Sequence, residues 1–325
     1  MDEKHPWPGG NSFCEKGMSP TSSPLILGTR GSALALAQSK LVSELLEAAH
    51  PGLSMQQKII TTTGDERTTM PLHEPTAEGA GLFTKQLEEA LLRKDIDIAV
   101  HSLKDLPVET PPGLTLAAIL PRASTKDLLI SRHLGGVEGL PAGAVVGSSS
   151  PRRTLLLSRH RPDLKFVPIR GNVPTRLAKI AEGELFDATI LASAGLGRLG
   201  HDLSKGSLQV AGVTLMIEPL DWMLPAPGQG AITVEARHGD RAVEFLSALH
   251  DPMTARCVEA ERLVLKYLGG GCQMALGALA SECSGRISLK AVFIPSPEAP
   301  LRSACASALS ADQVALLVAN QLLSA

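Results

Sequence analysis

The chain has 325 residues, a length that suggests two domains, with one or three also open. Its 31 Lys+Arg against 33 Asp+Glu leave a formal net charge of −2, which excludes the strongly basic footprint of a nucleic-acid binder. Aromatic residues are only 3%, which argues against base-stacking platforms and Tyr/Trp-rich interfaces, while 44% hydrophobic residues suffice for a sizeable core.

Taken in chain order, residues 1–23 are rich in Gly, Pro and Ser, begin with Asp2 and Glu3 after Met1, and have no apolar centre. That composition reads as a disordered leader, not as a signal or transit peptide. From Pro24 onward, short apolar runs alternate with helical periodicity. Leu25 to Gly28 reads as a strand, Ser32 to Ala49 as a helix and Ile59 to Thr63 as a strand. Leu82 to Lys94 follows as a helix with Leu87, Ala90 and Leu91 on one face, then Ile96 to Val100 as a strand. Strand, helix, strand in this order implies right-handed crossovers and an α/β sheet. A second set follows. Strands are expected at 127–131, 144–147, 165–169 and 187–192, helices at 151–160 and 173–182, and further strands at 213–217 and 231–236. After Gly239 the texture changes to two helices, 241–250 and 253–268, then Gly269-Gly270-Gly271, short strands and a last helix from Ser310.

There are five cysteines and no CxxC, so neither a disulfide framework nor a zinc site is expected, and a reducing, cytoplasmic setting is the natural reading. No run of about 18 apolar residues occurs, so no membrane span is expected. The nine His show no metal-ligand spacing, and no metal is proposed. Residues 119–217 carry 13 Lys+Arg and 7 Asp+Glu, an excess of +6 against −8 elsewhere. Such a local field can focus an anion although the whole chain is near neutral, or it can be a merely solvated basic surface.

Three strand-to-helix turns carry the most chemistry. In Ser148-Ser149-Ser150-Pro151-Arg152-Arg153, Ser150 suits the N-cap and Pro151 the first helical position, and two Arg follow. Arg170-Gly171-Asn172-Val173-Pro174-Thr175-Arg176 repeats the design with Asn172 as cap. Gly28-Thr29-Arg30-Gly31-Ser32 is the third case. Ligands bind at the carboxyl ends of strands in such sheets, and free N–H groups beside guanidinium forks favour carboxylate or phosphate. The competing reading of each turn is an ordinary capped helix with exposed Arg. His101-Ser102-Leu103-Lys104-Asp105-Leu106-Pro107 sets a cation beside a carboxylate at a strand end. Asp105 is either an acid/base group or part of a surface turn stopped by Pro107. Cys272, after three glycines, is a candidate covalent anchor or a small buried hydrophobe. Cys257 falls on the apolar face of its helix and reads as core. The polar Met70–Ala80 stretch, with Pro71, Pro75 and Gly79 in it, is a candidate lid.

These motifs, in this order, resemble the porphobilinogen deaminase (hydroxymethylbilane synthase) family. The resemblance is carried by GTRGSALALAQ (28–38), TTTGD (61–65), GLFTKQLEEALL (81–92), DIAVHSLKDLP (97–107), GSSSPRR (147–153), RGNVPTRL (170–177), ILASAGLGRLG (190–200), LPAPGQGAI (224–232) and GGGCQMALG (269–277). It departs from the family where Ala80 stands in place of a Lys, and where Gly269 replaces an acid at the start of the cysteine turn.

The resemblance implies two periplasmic-binding-protein-like α/β lobes with a central cleft plus a small α+β C-terminal domain. Domain 1 would comprise 24–121 and 218–238, domain 2 the basic 122–217, and domain 3 239–325 with the cofactor cysteine. The implied transferase joins four porphobilinogen molecules head to tail, releasing ammonia, to give hydroxymethylbilane. A dipyrromethane cofactor would be held by a thioether on Cys272. Asp105 matches the catalytic aspartate. The resemblance assigns Lys104, Asp105, Ser149, Ser150, Arg152, Arg153, Arg170, Arg176, Ala192 and Gln229 to the cofactor, and Arg30, Ser32, Arg170 and Arg176 to substrate. It also implies a cytoplasmic monomer passing product to uroporphyrinogen-III synthase. The alternative from the residues alone is a non-enzymatic two-lobed protein that captures a polycarboxylate. That alternative gives no role to Asp105 beside Lys104 or to a Gly-flanked Cys272.

Overall fold

A computed structural model describes residues 23–61, 84–270 and 274–325. The expectations for the leader, for the Met70–Ala80 stretch and for Cys272 itself fall outside the described residues.

The first sheet is built from β1 (Leu25–Thr29), β2 (Met55–Ile59), β3 (Ile98–Ser102), β4 (Leu114–Ile119) and β11 (Ile232–Arg237). Its order is β2-β1-β3-β11-β4. The strands β1, β2 and β3 run parallel, and β11 lies antiparallel between β3 and β4. Helix α1 (Ala33–Ala49) packs Val42 and Leu46 onto one face with Leu25, Leu27, Ile98, Val100 and Val234. Helix α2 (Lys85–Leu92) covers the other face with Leu87, Ala90 and Leu91 against Ile96 and Ala99. The three residues expected on the inner face of that helix are the buried ones.

The second sheet comprises β5 (Asp127–Ser131), β6 (Val145–Gly147), β7 (Lys165–Val167), β8 (Ala188–Ala192), β9 (Ser207–Val210) and β10 (Val213–Pro219). Its order is β7-β6-β8-β5-β10-β9, with β6 parallel to β7 and β8, and β5 antiparallel to β8 and β10. Helices α3 (Pro151–His160) and α4 (Val173–Glu182) bury Leu156, Leu157, Leu177 and Ile180 on opposite faces. A short helix, α5 (Ser193–Arg198), follows β8. The chain passes between the two sheets twice, after β4 and after β10.

Beyond β11 come α6 (Ala242–Leu246) and α7 (Pro252–Tyr267), then the antiparallel meander β12 (Ala275–Cys283), β13 (Arg286–Ile294) and β14 (Arg302–Ala308), and α8 (Ala311–Ser324). Alternate residues of β13 are buried, as expected for a sheet covered on one face. Both α7 and α8 lie on that face, with Val264, Leu289, Val314 and Val318 in its core. Cys257 sits there, 6% exposed, as its helical position implied.

The elements depart from the sequence reading in three ways. The second strand is Met55–Ile59, earlier than Ile59 to Thr63. The third runs to Ser102, so His101 lies inside it. The strands β4 and β9 and the helix α5 had no counterpart in the reading.

Candidate active site

The turn after β3 is fixed by its apolar residues. Leu103 and Leu106 are 0% and 4% exposed and pack with Ile119, Ala231 and Val258. Between them a single 3-10 turn, Leu103–Asp105, closes with Leu106 N–H donating to Leu103 O. Burying Leu103 and Leu106 turns the intervening pair outward: Lys104 is half-buried and Asp105 exposed. The alternation of apolar and charged residues in this motif thus presents a cation and a carboxylate at the end of a central strand.

Facing them is a buried ion cluster from the second sheet. Asp127, at the start of β5, is fully buried. Its Oδ2 accepts from Arg152 Nη1 at 2.7 Å, and its Oδ1 accepts from Arg153 Nη2 at 2.6 Å and Nε at 3.1 Å. Arg152 Nη1 also donates to Leu224 O, and Arg153 Nη1 to Ile190 O. Burial opposes the charge of Asp127, but the Arg153 and Arg152 guanidiniums overcome it and hold the carboxyl well below the usual range. Arg152 and Arg153, 3% and 8% exposed, therefore point inward at a protein carboxylate and do not lie open at the end of α3.

Gln229 joins the two sides. It is fully buried in the loop before β11, and its Nε2 donates to Asp127 Oδ1 at 3.0 Å and to Thr125 O at 2.7 Å. Its Oε1 accepts from Lys104 Nζ at 3.4 Å. The flanking Gly228 and Gly230 have φ of +73° and +89°, and a Cβ at Gly230 would stand 2.6 Å from Ala123 O. Only glycine fits a left-handed backbone pressed so closely against another segment, and this tight loop aims Gln229 into the junction.

The positive charge is in excess. Burial pulls Lys104 down to about 8, with the Arg153 charge adding to the effect and Asp105 and Asp127 partly offsetting it. Arg176, near the start of α4, is lowered by burial and by Arg153, against the pull of Asp105. Four cations, Lys104, Arg152, Arg153 and Arg176, thus share one field with two carboxylates. Cations that depress one another mark a place where an added anion is stabilised.

The remaining expected residues are spread around this junction. Ser150 caps α3, its Oγ accepting from Arg153 N–H, and exposed Ser149 donates its hydroxyl to Ile169 O. Arg170 and Arg176 bracket the cap of α4 at Asn172, whose Oδ1 accepts from Thr175 N–H at 2.9 Å, and Arg176 Nε donates to Gly171 O. Ala192 stands at the entry to α5. On the first sheet, Ser32 caps α1, and half-buried Arg30 ends the same connection. Asp127, Arg122, Glu261 and Arg262 were not singled out from sequence. The signal for Asp127 was present, since a lone acid opening an otherwise apolar strand needs a buried partner.

Two family models match the chain. One is described as "Porphobilinogen deaminase, dipyromethane cofactor binding domain" over residues 25–245, the other as "Porphobilinogen deaminase, C-terminal domain" over residues 255–322. The chain belongs to the porphobilinogen deaminase family. Curated relatives with that name include one from Syntrophobacter fumaroxidans, 45% identical over 264 residues, covering 81% of this chain and 82% of that protein. Another, from Desulforudis audaxviator, is 47% identical over 269 residues, covering 82% and 83%. A third, from Helicobacter hepaticus, is 41% identical over 291 residues, covering 89% and 87%. Among solved structures, the periplasmic VFT2 domain of Bordetella pertussis BvgS aligns loosely, with a TM-score of 0.41 at 14% identity, over 70% of this chain and 86% of that one.

Membership of the porphobilinogen deaminase family makes the chain a transferase and gives no support to the non-enzymatic binding-protein reading. Among the described residues, no helix is long and apolar enough to cross a membrane. Of the described cysteines, Cys257 is buried and its thiol is pushed up by that burial, while Cys283 and Cys305 are exposed.

Proposed function

We propose that the junction of Lys104, Asp105, Arg153, Arg176 and Gln229 is the active site at which this transferase condenses four porphobilinogen molecules into hydroxymethylbilane. The observation that carries the reading is that Lys104 and Arg176, one from each sheet, both feel the charge of exposed Asp105 and the opposing charge of Arg153, while Gln229 ties Lys104 to the Asp127 cluster. Each porphobilinogen brings two carboxylates, so the surplus suits the substrate's charge.

Asp105 is the catalytic group in this reading. As the C–N bond of the aminomethyl arm of porphobilinogen breaks and its amino group leaves as ammonia, positive charge develops on the remaining methylene-pyrrole and its N–H. The Asp105 carboxylate, set beside that charge by the Leu103–Leu106 anchor, stabilises it and accepts the N–H hydrogen bond. Lys104 and Arg176 bind the acetate and propionate groups and fix the ring against Asp105. Arg30, Ser32 and Arg170 extend the binding of the incoming substrate. Arg152 and Arg153 act through the surplus charge they retain after pairing with Asp127, and Gln229 holds Lys104 in register with that pair.

The dipyrromethane cofactor suits the same donor set: a four-carboxylate group meets cations that otherwise repel one another. It supplies the primer pyrrole carbon on which the chain grows. Lys104, Ser149, Ser150, Arg152, Arg153, Arg170, Arg176, Ala192 and Gln229 would hold it, and Cys272 would anchor it by a thioether. Buried Cys257, with its raised thiol, is unsuited to that role. In this reading the chain divides into 24–121 with 218–238, 122–217 and 239–325, and acts as a cytoplasmic monomer whose product passes to uroporphyrinogen-III synthase.

The test combines intact mass with turnover. The purified protein should carry an excess equal to two linked pyrrole units, absent in Cys272→Ala. Asp105→Ala should keep the fold and lose almost all ammonia release. An unmodified mass in fully active protein, or near-normal turnover in Asp105→Ala, overturns the assignment.

A further inference from the structure

One buried guanidinium outside the site is aimed at the turn that presents Asp105. Arg262, in the middle of α7, is 8% exposed. Its Nη1 donates to Leu103 O at 3.2 Å and Leu106 O at 3.3 Å. Its Nη2 donates to Pro107 O at 2.6 Å and Val108 O at 3.2 Å. Four main-chain carbonyls, one before Asp105 and three after it, thus converge on one planar fork.

We propose that Arg262 is a positioning residue for the deaminase reaction, in which the C-terminal domain holds the 103–108 turn, and with it Lys104 and Asp105, at the reacting distance. The proposal rests on the reading of Asp105 as the catalytic group. Burial of Leu103 and Leu106 anchors the turn, but apolar burial is non-directional and leaves rotation about the anchor open. The fork removes that freedom, because donors in a rigid plane fix carbonyls on both sides of Asp105. A lysine at 262 would keep the charge but not the fork, since its single nitrogen cannot serve four carbonyls spread along the turn. The neighbouring residue strengthens the case. Glu261 accepts a bidentate pair from Arg122 at 2.6 and 2.8 Å, so successive residues of α7 grip the crossing between the sheets and the Asp105 turn.

The test uses cofactor-loaded protein, with loading checked by intact mass, and compares Arg262→Ala, Arg262→Lys, Asp105→Asn and the double variant Arg262→Ala/Asp105→Asn. A displacement of about 1 Å can cost about a hundredfold in rate. We expect kcat to fall about ten- to a hundredfold in Arg262→Ala with KM for porphobilinogen within about threefold of wild type. Arg262→Lys, which keeps charge and most of the volume, should stay well below wild-type kcat, and it carries the test if the alanine variant does not fold. Millimolar guanidinium should restore part of the kcat of Arg262→Ala and none of that of Arg262→Lys. In the Asp105→Asn background, removing Arg262 should cost little more, since both act through the same group. Wild-type kcat in Arg262→Lys, or lost stability with kcat unchanged in Arg262→Ala, overturns the proposal while leaving Asp105 in place. Near-normal turnover in Asp105→Asn overturns instead the reading on which it rests.

Discussion

At Asp127, donors from Arg152, Arg153 and Gln229 meet one buried carboxylate. Removing its charge strands two buried guanidiniums, and breaking such a cluster costs about 3–5 kcal/mol. Asp127→Asn should therefore lower thermal stability by that order, measured by denaturation, before any effect on turnover is considered. The sign with pH follows from the depressed carboxyl. Its contribution is complete above the ordinary carboxylate value of about 3.9 and is lost as pH falls through the lower folded value. The variant should accordingly lose part of the wild-type stability gain in that acid range. Lys104 works at the other end of the scale. Its ammonium, pulled from 10.5 to about 8, is charged below that pH and neutral above it. Between the two values the unfolded chain holds a proton that the native state does not, so this group makes stability rise with pH there. Substrate binding moves the other way, because carboxylates lose a cation. KM for porphobilinogen should rise through pH 8, and Lys104→Arg, charged throughout, should abolish that limb. An unchanged limb in the variant would assign it to another group.

At the scale of elements, local chemistry decided what could be read from sequence. The caps at Ser32, Ser150 and Asn172 were legible because a short polar side chain before a helical run has one good use, bonding the free N–H groups of the first turn. The strand β2 is not legible in sequence because Met55–Ile59 is an edge strand with four exposed residues out of five, so it carries no period-two apolar signal. Helix α5 has no sequence signal because Ser193–Arg198 holds two glycines in six residues, which lowers its helical propensity. In the site, Lys104, Asp105, Arg176 and Gln229 were legible as motif members, and the structure brings them to one junction. What the motifs could not show is direction. Arg152 and Arg153 follow a cap that invites an outside anion, yet both turn inward, because Asp127 lies 25 and 26 residues away in sequence on a strand that pairs beside β8. Long-range partners of this kind are set by sheet order, which spacing along the chain does not encode.

For the whole molecule, one carboxylate links the three sheets. Glu261 of α7, fully buried, accepts from Arg122 Nη1 and Nη2 where the chain leaves the first sheet for the second. It also accepts from Gly228 N–H, at 2.8 Å, in the loop returning to the first sheet, and from Ala280 N–H, at 2.8 Å, in the C-terminal meander. Arg122 Nε meanwhile donates to Gln229 O, which ties the same hub to the residue bridging Lys104 and Asp127. All four groups around Glu261 are donors, so an amide is a poor substitute. In Glu261→Gln, the NH2 group must face one pair of donors, leaving N–H groups buried and unpaired beside an uncompensated guanidinium. Removing one partner of a buried pair costs about 3–5 kcal/mol. Glu261→Gln should lower stability by that order, whereas Lys40→Gln, which breaks an exposed i,i+4 pair with Glu44, should cost no more than about 0.5 kcal/mol. The coupling should also be visible in cooperativity. With the hub intact, the C-terminal meander and the two larger sheets should unfold together in denaturant. With Glu261→Gln, protease cleavage of the C-terminal segment should begin at lower denaturant than the main transition. Coincident transitions in the variant would mean that apolar contacts, such as those of Val258 with Leu103 and Leu106, suffice to hold the third sheet to the first.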